Sequence, residues 1–394
     1  MKKFLSLFLA AVMLLSLSSA LAETTTLTIW ESGDSALDFM RAAAEKYMET
    51  HPDVSFEFQA VGNADAVQKL ELDGPTGTGP DLFAAPHDKL GQMITGELIV
   101  PNSNPDEVNN NFVGAASRAL TSDGKLWGYP VAVETYALFY NKALIAEAPK
   151  TWEEIIAFAK EYNNPAEDKY AILWEVAAPY YNYQFLSAYG ADLFGPEGND
   201  PAAHNINTPE AKKGMEFFAT LKDALLPVNA SDISGDFVKA LFIDNAKAAM
   251  FITGPWSVEE IKKAGLNVGV TTLPSLPGND KPAISFSGVR GLFVSAFSEK
   301  KEAAQDFANF LLTKEMQELR YEITKTIPAR KDITIEDEMH AGILAQAEYA
   351  KPMPSIRQMD GYWSAMAAAF ANIWNGADIQ AELDAAAQAV EAIK

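Results

Sequence analysis

Residues 76–91, TGTGPDLFAAPHDKLG, decide the reading of the fold. They run from a glycine-rich turn through the short apolar strand Asp81-Leu82-Phe83 into His87, Asp88 and Lys89, so three polar side chains arrive together at the carboxyl end of a strand. Ligands of open α/β sheets bind in the crevice outside such strand ends. Upstream, Thr26-Leu27-Thr28-Ile29-Trp30 is strand-like, an apolar-periodic helix follows from Ala36 to Met48, and Val54, Phe56, Phe58 and Ala60 alternate with polar residues as a second strand. Strand, helix, strand, helix, strand is the alternation of a largely parallel sheet.

Further out, the spacing marks helix starts at Thr151 with Glu154, at Ser257 with Glu260, and at Thr208-Pro209. From Asp337 onward the chain reads as almost wholly helical, with Ile379, Leu383, Ala387 and Val390 on one apolar face. At the other end, residues 1–22 read as a secretory signal: Lys2 and Lys3, an apolar core over residues 4–17, and the cleavage signature Ala20-Leu21-Ala22, with the cut before Glu23. That core is shorter than the roughly 20 residues of a membrane span.

The 394 residues exceed the roughly 250–300 at which one core stops growing, which predicts two lobes. No Pro- or Gly-rich linker separates consecutive domains, so the lobes exchange chain at short crossings near residues 133–136, 284–288 and 333–336. This divides the chain into an N-terminal lobe of 23–132 plus 289–332 and a C-terminal lobe of 137–283 plus 337–394. The net charge of −22 disfavours nucleic acid and anionic lipid as partners. The chain has no cysteine, which removes disulfides, thiol catalysis and lipid attachment at an N-terminal cysteine, and points to a freely soluble exported protein, monomeric by default.

Signals for catalysis or a cofactor are missing. The four histidines, His51, His87, His204 and His340, form no metal-ligand spacing, and no phosphate-binding glycine loop or nucleophile elbow occurs. Carbohydrate binding needs flat rings for the apolar faces of sugars and polar groups for the hydroxyls, and the chain has 7 Trp, 13 Tyr and abundant acids. Tyr180 and Tyr181 follow Pro179 after a strand-like run, Trp256 follows Gly254-Pro255 after another, and Trp363 stands where an extended turn enters a helix. On context alone Trp256 suits core packing or a ligand cleft about equally; each ring could be core packing, yet several rings at element termini suggest a cleft.

The segments GPDLFAAPHDKLG (79–91), GYPVAVETYALFYNKAL (128–144), PKTWEEI (149–155), TGPW (253–256) and MPSIRQMDGYW (353–363) occur in an order and spacing that resemble the bacterial extracellular solute-binding proteins of the maltose/maltodextrin-binding type, receptors of ABC importers. The resemblance implies an α/β, periplasmic-binding-protein-like fold: two α/β lobes with multiple chain crossings around a ligand cleft. It implies that Asp34, Asp88, Lys89 and Glu134 bind sugar hydroxyls, that Tyr180, Trp256 and Trp363 stack on sugar rings, and that the partners are a carbohydrate and ABC permease subunits. Tyr181 and Tyr136 are further ring candidates. The chain departs from the type at Ser35, Ala85, Ala178 and Ala367, where the maltodextrin binder has Lys, Trp, Glu and Arg; the sugar expected is therefore a maltodextrin or another oligosaccharide. Two other readings stand beside it: the same fold taking a polyamine or a glycerol phosphate, and a secreted carbohydrate-active enzyme.

Overall fold

The computed structural model describes residues 24–33, 35–196 and 198–393. The signal reading of residues 1–22 and the candidate Asp34 therefore lie outside the described residues. Twelve strands are seen among them: β1 (Thr25–Glu31), β2 (Val54–Ala60), β3 (Leu82–Pro86), the short hairpin β4 (Thr121–Ser122) and β5 (Lys125–Leu126), β6 (Tyr129–Thr135), β7 (Ala137–Asn141), β8 (Tyr170–Leu173), β9 (Ala248–Thr253), β10 (Val268–Thr271), β11 (Ser285–Val294) and β12 (Ala350–Pro352).

The first sheet is ordered β12-β11-β3-β1-β2, with β6 paired to the other edge of β11. β1 runs parallel to β2 and β3, as the alternating pattern requires, because a helix crosses over between each pair. The parallel reading holds only for that part. β11 is antiparallel to both β3 and β6, and in the second sheet, β10-β7-β9-β8, β7 is antiparallel to both neighbours. Two apolar cores result. One gathers Leu27, Ile29, Phe83, Leu292 and Phe307; the other gathers Phe139, Trp152, Trp174, Phe218, Phe370 and Trp374.

The chain passes between the cores three times. β6 ends at Thr135 and β7 begins at Ala137, so Tyr136 is the link. β11 enters beside β12 through Ser285, Phe286 and Ser287 and leaves along β3 through Arg290 to Val294, spanning the boundary as one 10-residue strand. The third pass follows the helix Lys314–Thr324, where the Val133 N–H donates to the Ile327 carbonyl at 2.9 Å.

Two local expectations need correcting. Ser257 does not cap a helix: its hydroxyl pairs with Thr253 at 2.8 Å, and the helix Val258–Lys263 grows directly out of the one-turn segment Pro255–Ser257. The tail is not wholly helical either, since β12 lies between the helices Glu338–Ala347 and Gln358–Trp374. Three residues are too few to show a period of two. By contrast Thr151 accepts from the Glu154 N–H at 3.2 Å and Thr208 from Ala211 at 3.3 Å, as their spacing predicts.

Candidate functional site

Between the two cores lies a cavity of about 700 Å³, within the range of small-molecule sites. Its lining includes Asp88, Lys89, Glu134, Tyr180, Tyr181, Trp256 and Trp363, whereas the further ring candidate Tyr136 does not line it. They reach it from five places: the turn after β3, the end of β6, the first turn of the helix Pro179–Leu186, the turn after β9, and the second turn of the helix Gln358–Trp374.

The His87-Asp88-Lys89 turn divides its labour. His87 is buried; its Nε2 bonds the Met353 carbonyl at 3.0 Å and its Nδ1 accepts from the Val289 N–H at 3.1 Å, which assigns a neutral ring protonated at Nε2. Burial pushes His87 below the ordinary histidine range, despite Asp88 beside it. It is a structural staple between β3, β11 and the Met353 segment. Asp88 is also buried, and burial raises its carboxyl above the usual range against the pull of His87, Lys89 and the Trp363 hydrogen bond. Trp363 Nε1 donates to Asp88 Oδ2 at 2.9 Å, and Lys89 Nζ meets Asp360 Oδ1 at 2.7 Å. Both contacts clasp one lobe to the other.

The rings form one wall. Tyr180 lies 6.2 Å from Trp256 and 5.5 Å from Tyr181, centroid to centroid. Tyr136 is fully buried, 4.9 Å from Tyr180 and 5.4 Å from Tyr181, so it backs the two ring platforms and is not itself one. Gly254 is needed next to Trp256: a Cβ there would stand 2.3 Å from the indole Cη2. Phe286, 6.0 Å from Trp363 and 6.3 Å from Tyr180, ties the rings to β11.

The facing wall is charged. Glu31, at the end of β1, is fully buried and takes a hydrogen bond from Arg290 Nη2, which also donates to Ser32 Oγ at 2.7 Å. Arg290 sits at a register irregularity between β11 and β6, the kind of bulge that re-aims a side chain beside a site. Burial alone would lower its guanidinium, but Glu31 and Glu134 turn the net shift upward. Burial raises the Glu134 carboxyl, with Arg290 and Arg320 pulling it back. Burial lowers Arg320 to about 10.

Sequence reasoning did not single out Arg320, Asn63, Lys239, Thr324 or Thr326, all of which line the cavity. Arg320 stands inside KEMQELRYEIT, and its burial is what marks it out. Of the four departures from the maltodextrin type, Ser35 lines the cavity. Ala85 is fully buried on β3 opposite Gly291, and neither it, Ala178 nor Ala367 reaches the lining. No His/Cys/Asp/Glu cluster fit for a metal ion and no helix long and apolar enough to cross a membrane is found among the described residues.

Residues 42–347 match a family described as bacterial extracellular solute-binding protein. The chain is 34% identical to the galactooligosaccharide-binding protein of Bacillus subtilis, over 92% of this chain and 88% of the relative. It is 30% identical to the maltooligosaccharide ABC transporter solute-binding lipoprotein of Streptococcus pneumoniae, over 77% and 73%. Among solved structures, the Thermus thermophilus maltotriose-binding protein with maltotriose bound superposes with a TM-score of 0.85 at 26% identity, covering 93% of this chain and 99% of that one.

Proposed function

The chain belongs to the bacterial extracellular solute-binding proteins, and on that premise we propose that it captures a neutral oligosaccharide between its lobes and presents the closed form to an ABC permease. The observation that carries this reading is the pairing of walls: Tyr180, Tyr181 and Trp256 on one side, Glu134, Arg290 and Asp88 on the other, about one cavity. Closure then follows from differential affinity, because a ligand touching both walls favours the state that brings them together.

Charge balance favours a neutral ligand. Lys89, Lys239, Arg290 and Arg320 stand against Asp88, Glu134, Glu259 and Glu260 on the cavity lining, so a polyamine would meet the cations and a glycerol phosphate the carboxylates. A galactooligosaccharide is the first choice, supported by the 34% identity to a receptor named for that sugar; a maltooligosaccharide is the second, supported by the likeness to the maltotriose receptor. Asp34, Asp88, Lys89 and Glu134 serve as hydroxyl partners and Tyr180, Tyr181, Trp256 and Trp363 as ring contacts. The lobes divide at 23–132 plus 289–332 and 137–283 plus 337–394. The protein is a receptor with no catalytic step, acting as an exported soluble monomer after removal of residues 1–22.

A thermal-shift screen tests the reading with galactooligosaccharides, maltodextrins, spermidine and glycerol 3-phosphate. A ligand at about 100 times its Kd raises apparent stability by about 2.7 kcal/mol. An upward shift with an oligosaccharide supports the proposal; a shift with spermidine or glycerol 3-phosphate alone overturns it.

A further inference from the structure

On the charged wall, Arg320 leaves its three buried guanidinium nitrogens unpaired, whereas Arg290 leaves only Nε and Glu31 only Oε2. Arg290 is committed to Glu31 and Ser32, and the Ser32 N–H closes on the same Glu31 oxygen at 2.7 Å. Arg320, from the middle of the helix Lys314–Thr324, comes no closer to Glu31 than 3.8 Å, and its guanidinium lies 5.2 Å from the Phe39 ring centroid. Its Nε, Nη1 and Nη2 have no hydrogen-bond partner among the described residues, although the residue is 1% exposed and lines the cavity. A buried donor left unmade is costly, and more so on a charged group. On the same wall, Glu134 lines the cavity with no side-chain hydrogen bond to any described residue.

An arginine kept only to neutralise Glu31 would close that 3.8 Å gap into a hydrogen bond. Here a rigid planar fork of donors stands idle near an idle carboxylate acceptor. We propose that Arg320 is a specificity-determining residue that donates to one oxygen of the bound saccharide while Glu134 accepts from a neighbouring hydroxyl of the same sugar ring. The wall thus reads two adjacent hydroxyls as one acceptor and one donor. A site of this kind rejects analogues that lack the partner group far more strongly than an apolar pocket rejects a missing methylene. The inference rests on the oligosaccharide reading and goes beyond it by naming what is read.

The experiment titrates the full chain calorimetrically with a galactooligosaccharide and with maltotriose, first as wild type, then as Arg320→Lys and Arg320→Met, alongside thermal unfolding without sugar. Wild type that binds neither sugar overturns the underlying reading, and is seen before any variant enters. If wild type binds, Arg320→Lys keeps the charge near Glu31 but loses the fork; it is expected to weaken the bound sugar about tenfold or more, 1.4 kcal/mol, with an unliganded Tm near wild type. Arg320→Met is expected to bind at least as weakly, and if it does not fold the Lys variant still decides. Combining Arg320→Lys with Glu134→Gln is expected to cost less than the two single losses together, because both act through one sugar ring. Unchanged affinity in Arg320→Lys, or strictly additive losses in the double variant, overturns the proposal.

Discussion

Trp256→Ala probes the ring wall where its geometry is clearest. Trp256 is half-buried at the mouth of β9, with Tyr180 at 6.2 Å and the bare Cα of Gly254 beneath it, so its outer face is turned to the cavity and not to the core. An aromatic side chain of this size buries about 150–250 Å² when fully covered; a sugar stacked on one face takes about 60–100 Å² of it. At about 25 cal/mol per Å² that area is worth about 1.5–2.5 kcal/mol, which raises Kd about tenfold to seventyfold. Because the ring supports little of the core, the unliganded protein should unfold within a few degrees of wild type. Trp256→Phe, which keeps a flat face, should lose less. The assay is calorimetric titration with the oligosaccharide that wild type binds, paired with thermal unfolding of the sugar-free protein. A Kd within about twofold of wild type, or an affinity loss matched by collapse of the unliganded fold, would refute the stacking assignment.

Three other perturbations follow from the same geometry. Gly254→Ala sets a Cβ 2.3 Å from the Trp256 ring, so it should weaken sugar binding by tilting that ring while leaving the far-ultraviolet circular dichroism unchanged. His87→Ala strands the Val289 N–H and the Met353 carbonyl and should cost about 2–4 kcal/mol in denaturant unfolding. His87 and His340 are both held below 6.5, so the unfolded chain binds their protons first; their contribution is present above that value and is lost as pH falls through the folded values, and unfolding of His87→Ala should show a shallower acid dependence than wild type. Asp88 is shifted the other way: raised in the fold, its contribution is complete below the ordinary carboxylate range and lost as pH rises through its folded value, so Asp88→Asn should gain unliganded stability at neutral pH, with the gain vanishing in acid, while sugar affinity falls.

What the sequence revealed and what it hid have physical reasons. Asp88, Glu134, Tyr180 and Trp256 were legible because they stand next to strand ends, and strand ends are marked locally by apolar runs stopping at Pro, Gly or a charge. Glu31 and Arg320 were not, since each needs its distant partner to show that a charge is buried: Arg320 shares the helix face of Met316, four residues before it, but nothing local shows that a guanidinium there stays buried, and Glu31 continues β1 one residue beyond its apolar run. His87 was legible as a polar residue at the right place but not as a staple, because its two partners lie 202 and 266 residues away. The pairing of β11, antiparallel to β3 and β6 and parallel to β12, was hidden for the same reason, as these neighbours come from three separate stretches of the chain.

The central claim, that the walls around this cavity hold a neutral oligosaccharide, is tested most directly by calorimetric titration of the wild-type chain with a galactooligosaccharide, maltotriose, spermidine and glycerol 3-phosphate at matched concentration. Saturable binding of one oligosaccharide per chain is expected, with no saturable heat from the charged ligands. Saturation by spermidine or glycerol 3-phosphate, with no heat from either sugar, would contradict it.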